Sequence, residues 1–224
     1  MAAPAIVRQE LFPADLIVSL RRVVSLGIIA GYVDSLGFID LKGTYTAAMT
    51  GNTVQFGVSF VQGNWTHLGF LAIVLGAFFC GAASGSFIRR RSQGAVAGLT
   101  IMAILLLAMQ AIRLVIPGAM YVELPLLAFT MAMQGMTISR FGGYFIQTIV
   151  ATGGLLQFAD GVVGRLAGSA SVAEVLIPGF LCAAYAVGAA FAVLGTAYFA
   201  AYAFCVPILL LALTAYDVRT APSS

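Results

Sequence analysis

The charged residues of this 224-residue chain leave long stretches that contain none. No Asp, Glu, Lys or Arg occurs between Lys42 and Arg89, or between Glu174 and Asp217. A membrane-spanning helix needs about 20 apolar residues, so each of these two windows can hold two spans. Charged residues make up only 8% of the chain and apolar residues 61%, whereas a soluble domain has about 25% and about 45–50%. We therefore predict an all-α polytopic membrane protein whose main solvent is the lipid bilayer.

Turn-forming residues divide the apolar sequence into eight segments of helical length. The turns are Asp40-Leu41-Lys42-Gly43, Gln62-Gly63-Asn64, Arg89–Arg91, Pro117-Gly118, Phe141-Gly142-Gly143, Gly168-Ser169 and Gly195. The predicted helices cover residues 23–39, 45–61, 68–88, 94–113, 124–138, 145–163, 174–191 and 197–216. No linker interrupts them, so we expect a single membrane domain over residues 1–224. The first 15 residues lack the plan of a signal peptide, and we expect the first apolar run to remain as the first span.

The chain matches itself at an offset of 102 positions. This offset places Thr50-Gly51 on Thr152-Gly153 and Gln55-Phe56 on Gln157-Phe158, without a gap. Apolar composition alone does not account for matches of polar residues and glycine within one short window. We interpret the chain as two internal repeats of four segments each, at about 23–116 and 125–218.

The distribution of arginine and lysine favours one membrane topology. If all eight segments span, the 11 basic residues divide almost evenly between the two sides. If the segments at 45–61 and 145–163 instead enter and leave on one side, only Lys42 and Arg113 lie opposite the termini. We therefore predict six transmembrane helices plus two broken or re-entrant segments, with the repeats inverted relative to each other. Eight ordinary spans remain the alternative, because a segment such as 45–61 is long enough to cross.

Asp34 is the most informative charged residue. If the first helix starts near Arg22, Asp34 lies roughly 18 Å along it, past the middle of a hydrocarbon core about 30 Å thick. A carboxylate at that depth is costly and points to a functional site, such as proton coupling or cation coordination. The alternative is that Asp34 lies near the interface with Asp40 and Lys42, or caps a break in the helix.

Other polar residues accompany Asp34 in otherwise apolar sequence. A re-entrant segment broken at each Thr-Gly pair would bring these residues to one cavity between the halves, because irregular backbone at membrane depth needs a wet or protein-lined surrounding. The glycines would allow the unusual backbone conformation. The alternative for the glutamines is a hydrogen bond to a neighbouring helix. The predicted substrate- or ion-binding residues are Asp34, Tyr32, Thr50, Gly51, Asn52, Gln55, Gln134, Thr152, Gly153 and Gln157.

Signatures of other function classes are missing from the sequence. There is no GxSxG, HExxH or Walker motif, and the single histidine, His67, lies beside Trp65 at the start of a span, where amphipathic side chains collect. The three cysteines lie in apolar segments without a CxxC motif. The net charge of +3 includes no basic run interleaved with aromatic residues. We therefore predict no enzyme activity, no cofactor, no metal site and no nucleic-acid partner.

Two motifs of the first half carry a family resemblance. The sequence reads Ala30-Gly31-Tyr32-Val33-Asp34-Ser35-Leu36-Gly37-Phe38 and then Met49-Thr50-Gly51-Asn52-Thr53. These G-Y-x-D and T-G-N elements resemble the YoaK-like family of uncharacterised bacterial inner-membrane proteins, whose length and hydropathy profile agree over nearly the whole chain. The second half departs from the family pattern, since Gln134-Gly135 stands where Gln-Asn is expected. The resemblance implies a multi-pass protein of the bacterial inner membrane and brings no substrate.

Two functions fit the sequence. The first is a transporter or channel for a small solute, with proton or cation coupling through Asp34. The second is a non-transporting accessory or assembly subunit of a larger membrane complex, which would dock through small-residue faces such as Gly81-x-x-x-Gly85. The sequence leaves open whether those faces serve internal packing, a homo-oligomer or a partner in a complex. A polar cavity that reaches Asp34 and Asn52 would favour the transporter.

Overall fold

A computed structural model describes residues 13–40, 43–91, 94–116, 118–141 and 143–220. Within these residues the chain forms eight α-helices and one short hairpin. The helices are α1 Pro13–Asp40, α2 Met49–Val61, α3 Trp65–Arg89, α4 Gly94–Val115, α5 Met120–Thr137, α6 Ala151–Leu166, α7 Val172–Phe199 and α8 Cys205–Thr220. The hairpin between α5 and α6 pairs β1 (Arg140–Phe141) with β2 (Tyr144–Phe145) in antiparallel orientation. The predicted all-α class is confirmed.

Four of the described helices are long and apolar enough to cross a membrane: α1 from Ala14, α3, α4 and α7. Their outward surfaces are apolar, with Ile73, Phe79 and Phe87 of α3 each at least 60% exposed. So many large exposed apolar side chains would be a liability in water and are normal in lipid. The protein is therefore a helical membrane protein. In contrast, α2, α6 and α8 have 13, 16 and 16 residues and α5 has 18. These lengths correspond to about 20, 24, 24 and 27 Å of helix, less than the hydrocarbon core.

Glycines set the closest helix contacts. A Cβ at Gly31 of α1 would collide with the backbone of Tyr185 on α7, and a Cβ at Gly188 of α7 would collide with that of Ile28. Gly81 and Gly85 of α3 likewise lie close to the backbone of α5, where a Cβ on Gly81 would collide with Phe129 O and a Cβ on Gly85 would be 2.8 Å from Met133 O. Small residues allow such close approach in membrane proteins, where dispersion contacts replace the hydrophobic effect between helices. The Gly81-x-x-x-Gly85 face therefore serves internal packing.

Ion pairs mark the two ends of the helix bundle. At one end, which we call the arginine end, Arg22 Nε lies 2.8 Å from Asp217 Oδ2, and Arg21 contacts the same carboxylate. At the opposite end, Arg113 pairs with Asp40 at the end of α1 and with Glu123 at the start of α5. We call this the triad end. Because Arg113 lies over the ring of Phe204 at 4.7 Å, the connection between α7 and α8 also lies at the triad end.

The element boundaries correct several sequence expectations. Helix α1 begins at Pro13 rather than near residue 23, and α7 continues through the predicted break at Gly195 to Phe199. The break falls instead in a 3-10 turn at residues 200–202. The predicted turn glycines Gly43, Gly63, Gly118, Gly143 and Gly168 all have positive φ, as turn residues without a Cβ can adopt. Of the predicted turn residues, Leu41, Lys42, Pro117 and Gly142 lie outside the described residues.

The two segments predicted to be broken begin as non-helical chain. Residues 45–48 and 146–150 are irregular, and α2 and α6 start at Met49 and Ala151. Each Thr-Gly pair therefore lies in the first turn of a short helix rather than at a break within one. Gly51 and Gly153 are not among the glycines with positive φ, so the expectation of an unusual backbone conformation at these two glycines is wrong. The unwound residues precede them.

Candidate functional site

A cavity of about 650 Å³ is lined by the first turns of both α2 and α6. Thr50 and Gly51 line it from α2, and Thr152 lines it from α6. The remaining walls come from α1, α3, α5 and α7. Its polar lining residues are Asp34, Tyr45, Thr50, Gln147, Thr152 and Tyr185. The structure therefore brings together four of the ten predicted site residues: Asp34, Thr50, Gly51 and Thr152.

Asp34 is buried, with 4% of its surface exposed. Its Oδ1 accepts hydrogen bonds from the backbone N–H groups of Thr46 at 2.8 Å, Ala47 at 2.7 Å and Ala48 at 3.3 Å, and from the Thr46 hydroxyl at 3.2 Å. These donors lie in the unwound segment immediately before α2. Hydrogen bonding by several N–H groups is what a carboxylate requires in a low-dielectric site. Asp34 thus holds the start of α2 and stabilises its positive dipole end.

The second oxygen of Asp34 faces a different helix. The hydroxyl of Tyr185 on α7 donates to Asp34 Oδ2 at 2.6 Å. Tyr185 was not predicted from the sequence, where it stands in an Ala-rich stretch that indicates only helix packing. The close approach of α1 and α7 at Gly31 is what brings this tyrosine to the carboxylate.

The predicted amide residues of α2 and α6 stabilise the unwound segments rather than line the cavity. Asn52 donates to Tyr45 O at 2.7 Å and accepts from Tyr45 N at 2.9 Å. Gln55 donates to Gly43 O at 2.8 Å. These bonds satisfy backbone groups that the unwound chain would otherwise leave unpaired. Gln55 therefore makes a structural hydrogen bond, but to the segment before its own helix rather than to a neighbouring helix.

Gln157 repeats the contact of Gln55 in the second half. It donates to Phe145 O at 3.4 Å, again to the carbonyl 12 residues earlier in the chain. Gln134 of α5 is fully enclosed and donates to Leu26 O at 3.0 Å and to the Thr148 hydroxyl at 3.2 Å. Gln134 thereby ties the unwound segment before α6 to both α5 and α1.

The remaining predicted residues, Tyr32 and Gly153, are not part of the cavity lining. Tyr32 is buried between α1 and α7, where a Cβ on Gly195 would collide with its hydroxyl. Among the described residues, that hydroxyl has no hydrogen-bond partner. Gly153 follows Thr152 but is not part of the lining. His67, which was expected at the membrane interface, lies at the start of α3. Its Nδ1 is 2.8 Å from the hydroxyl of Ser59 on α2.

The two short helices begin differently in electrostatic terms. Neither N-cap residue, Ala48 nor Val150, caps its helix with its own side chain. Asp34 places a carboxylate at the start of α2, whereas among the described residues no carboxylate accepts from the segment before α6. Thr148 stands 102 positions after Thr46, yet it accepts from the neutral amide of Gln134 instead of donating to a carboxylate. The cavity therefore has one charged wall and one neutral wall.

Comparison with known proteins places the chain in a family. A family model described as a protein of unknown function, DUF1275, matches residues 23–216. The chain belongs to the DUF1275 family. This match confirms the resemblance carried by the G-Y-x-D and T-G-N motifs. No curated protein and no solved structure matches this DUF1275 chain.

Proposed function

We propose that this DUF1275 protein crosses the membrane six times and that α2 and α6 are re-entrant half-helices. The course of the first half supports this topology. Helix α1 ends with Asp40 at the triad end. The following segment then contacts Asp34 through Thr46, and Asp34 lies about 9 Å along α1 from Asp40, in the direction of the arginine end. Helix α3 ends with Arg89, which donates to Ser139 and lies with Arg22 at the arginine end. Helix α3 therefore begins at the triad end, and α2 must return to the end from which the chain entered.

The second half follows the same course in the opposite direction. Helix α5 has Glu123 in its first turn at the triad end and leads to Arg140 at the arginine end. The chain then reaches the cavity at Thr152. Because α7 ends at the triad end, α6 must return to the arginine end. The equivalent bonds of Gln55 and Gln157 support two inverted repeats at about 23–116 and 125–218.

The arginine end faces the cytoplasm of a bacterial cell in this proposal. Arg21, Arg22, Arg89 and Arg140 lie there, whereas Arg113 is the basic residue of the triad end among the described residues. Such an excess of arginine is the signature of cytoplasmic loops. The location in the bacterial inner membrane follows the family resemblance.

The function that we propose is transport or channelling of a small solute, without enzyme activity. The observation that carries this proposal is the cavity at the starts of two half-helices, with the buried carboxylate of Asp34 in its wall. Half-helix termini and unwound backbone at mid-membrane supply dipoles and hydrogen-bonding groups to a dehydrated solute. Asp34 supplies a site for proton or cation coupling.

The accessory-subunit alternative has one observation in its favour. Gly57, Gly69 and Gly76 on α2 and α3 have open space where a Cβ would lie, so another membrane helix could approach this surface closely. Stable recovery of a second membrane protein with the chain, together with no uptake of any solute, would favour this alternative.

Uptake into proteoliposomes tests the transport proposal. A panel of small anions, weak acids and amino acids is offered to the wild-type protein, to Ala82→Phe and to Ala83→Phe. Ala82 lines the cavity, and its neighbour Ala83 is exposed on the outside of α3. We expect uptake of at least one class by the wild type and by Ala83→Phe, and uptake at the level of protein-free liposomes for Ala82→Phe. Equal uptake by the two variants would contradict the assignment of the cavity.

A further inference from the structure

A second cavity, separate from the one at Asp34, opens at the arginine end. Its volume is about 430 Å³. Its polar lining consists of Ser19, Arg22, Arg89, Thr137, Ser139 and Arg140. These residues come from α1, α3, the end of α5 and the hairpin, so four separate parts of the chain converge on it. The proposed transport function does not use this cavity.

The charge of this arginine cavity is positive. Three arginines line it, and no Asp or Glu is among its described lining residues. Arg22 is held in place by Asp217. Arg89 donates to the Ser139 hydroxyl at 3.0 Å, and within the described residues neither Arg89 nor Arg140 has a carboxylate partner. Both are exposed, so their guanidinium groups can reach a ligand.

Thr137 provides an independent observation. Thr137 is a lining residue that is 4% exposed, and its side chain packs against Gly98 of α4. Its hydroxyl has no hydrogen-bond partner within the described part of the chain. Leaving a buried hydroxyl unpaired is costly, and such groups usually have a partner. A ligand oxygen in the cavity would become that partner after rotation of the Thr137 side chain about χ1.

We propose that the arginine cavity binds a phosphate group. Guanidinium groups bind phosphate oxygens in a planar, two-point arrangement, and the hydroxyls of Thr137 and Ser139 add donors at the same site. The apolar part of the lining, including Ile138, Phe141 and Val218, suits the carbon skeleton attached to the phosphate. A phospholipid headgroup and a free phosphate ester share this chemistry, and basic cavities between membrane helices bind anionic headgroups.

Binding measurements on the full-length protein in a non-ionic detergent separate these sources. The probes are dioctanoyl phosphatidylglycerol, dioctanoyl phosphatidylcholine, glycerol 3-phosphate and inorganic phosphate. The variants are Arg89→Gln with Arg140→Gln, and Arg90→Gln as the control. Arg90 is an exposed arginine of the same end and is not part of the cavity lining.

We expect wild type and Arg90→Gln to bind an anionic phosphate probe with the same Kd, and the double variant to bind it roughly 100-fold more weakly. This factor corresponds to about tenfold for each charge-assisted contact. Selective binding of phosphatidylglycerol identifies a headgroup site, whereas binding of glycerol 3-phosphate or inorganic phosphate with equal affinity identifies a free phosphate site. Failure of every anionic probe to bind, or an equal Kd for the double variant, would overturn the proposal.

Thr137→Val keeps the test informative if the double variant does not fold. Valine has nearly the shape of threonine and removes only the unpaired hydroxyl, so the fold should be at least as stable as before. We expect the Kd for the anionic probe to rise roughly 3- to 10-fold, equivalent to one lost hydrogen bond. An unchanged Kd would contradict the proposed site, in which the Thr137 hydroxyl is one of the donors.

Discussion

Residue 34 connects three parts of the molecule through one carboxylate. Asp34 lies on α1 and accepts hydrogen bonds from backbone N–H groups of the segment before α2. It also accepts a hydrogen bond from the hydroxyl of Tyr185 on α7. Its predicted burial is confirmed. The caps that it provides add a structural role to the functional role predicted from the sequence, because removing the acceptor would leave several buried N–H groups without a partner.

Asp34→Asn and Tyr185→Phe separate these two roles. Asparagine retains an acceptor for the segment before α2 and loses the charge, so we expect the variant to insert and fold with a loss of about 1–3 kcal/mol. Any pH dependence of uptake should disappear in Asp34→Asn and persist in Tyr185→Phe, which keeps the carboxylate. Thermal unfolding in detergent and uptake at several pH values provide the measurements. A pH profile of Asp34→Asn identical to that of the wild type would refute coupling through this residue.

Sequence patterns predict this site only where the informative residue is unusual for its surroundings. Asp34 stands out as a carboxylate in an apolar run, and the Thr-Gly pairs stand out through their repetition. Tyr185 and Gln147 give no such signal. Tyr185 lies 151 positions from Asp34, and the contact depends on how Gly31 and Gly188 allow α1 and α7 to approach.

At the scale of elements, Gly51 of α2 matters because its missing side chain leaves room for a neighbouring residue, and not because it adopts an unusual backbone conformation. A Cβ on Gly51 would lie 2.9 Å from Cε2 of the Tyr45 ring, whereas a Cβ on Gly57 would meet nothing within 4 Å. We expect Gly51→Val to destabilise the protein by about 1–3 kcal/mol through overpacking, and Gly57→Val to change stability little. Thermal unfolding of the two variants is the measurement. Equal stability would show that Tyr45 can move away without cost.

The number and order of helices could be predicted because each apolar segment is bounded by turn residues with a clear chemical preference. Gly63, Gly118 and Gly168 adopt the expected positive φ. The course of α7 could not be predicted in this way. Gly195 resembles a turn residue in the sequence but lies within α7, where a Cβ would collide with the hydroxyl of Tyr32.

At the scale of the whole molecule, the six-span topology makes a prediction that eight spans do not. In a background without Cys80, Cys182 and Cys205, an impermeant thiol reagent should label Arg90→Cys and Arg140→Cys from the cytoplasm. It should label Gln62→Cys from the periplasm, since the re-entrant α2 returns to the triad end. All three positions are exposed. With eight spans, Gln62 and Arg90 would exchange sides, so labelling in that reversed pattern would exclude the re-entrant arrangement.

The depth of Asp34 between the two ends has an electrical consequence. Along α1, the rise from Arg22 to Asp40 is about 27 Å and that from Asp34 to Asp40 is about 9 Å. In a field that falls evenly between these ends, a cation entering from the triad end would cross about one third of the membrane voltage before reaching the carboxylate. Each 100 mV would then change its occupancy energy by about 0.8 kcal/mol, one third of the full value for a unit charge. The affinity for a cation at this residue should therefore respond only weakly to voltage. About two thirds of the membrane voltage would be crossed as the cation moves from Asp34 to the arginine end.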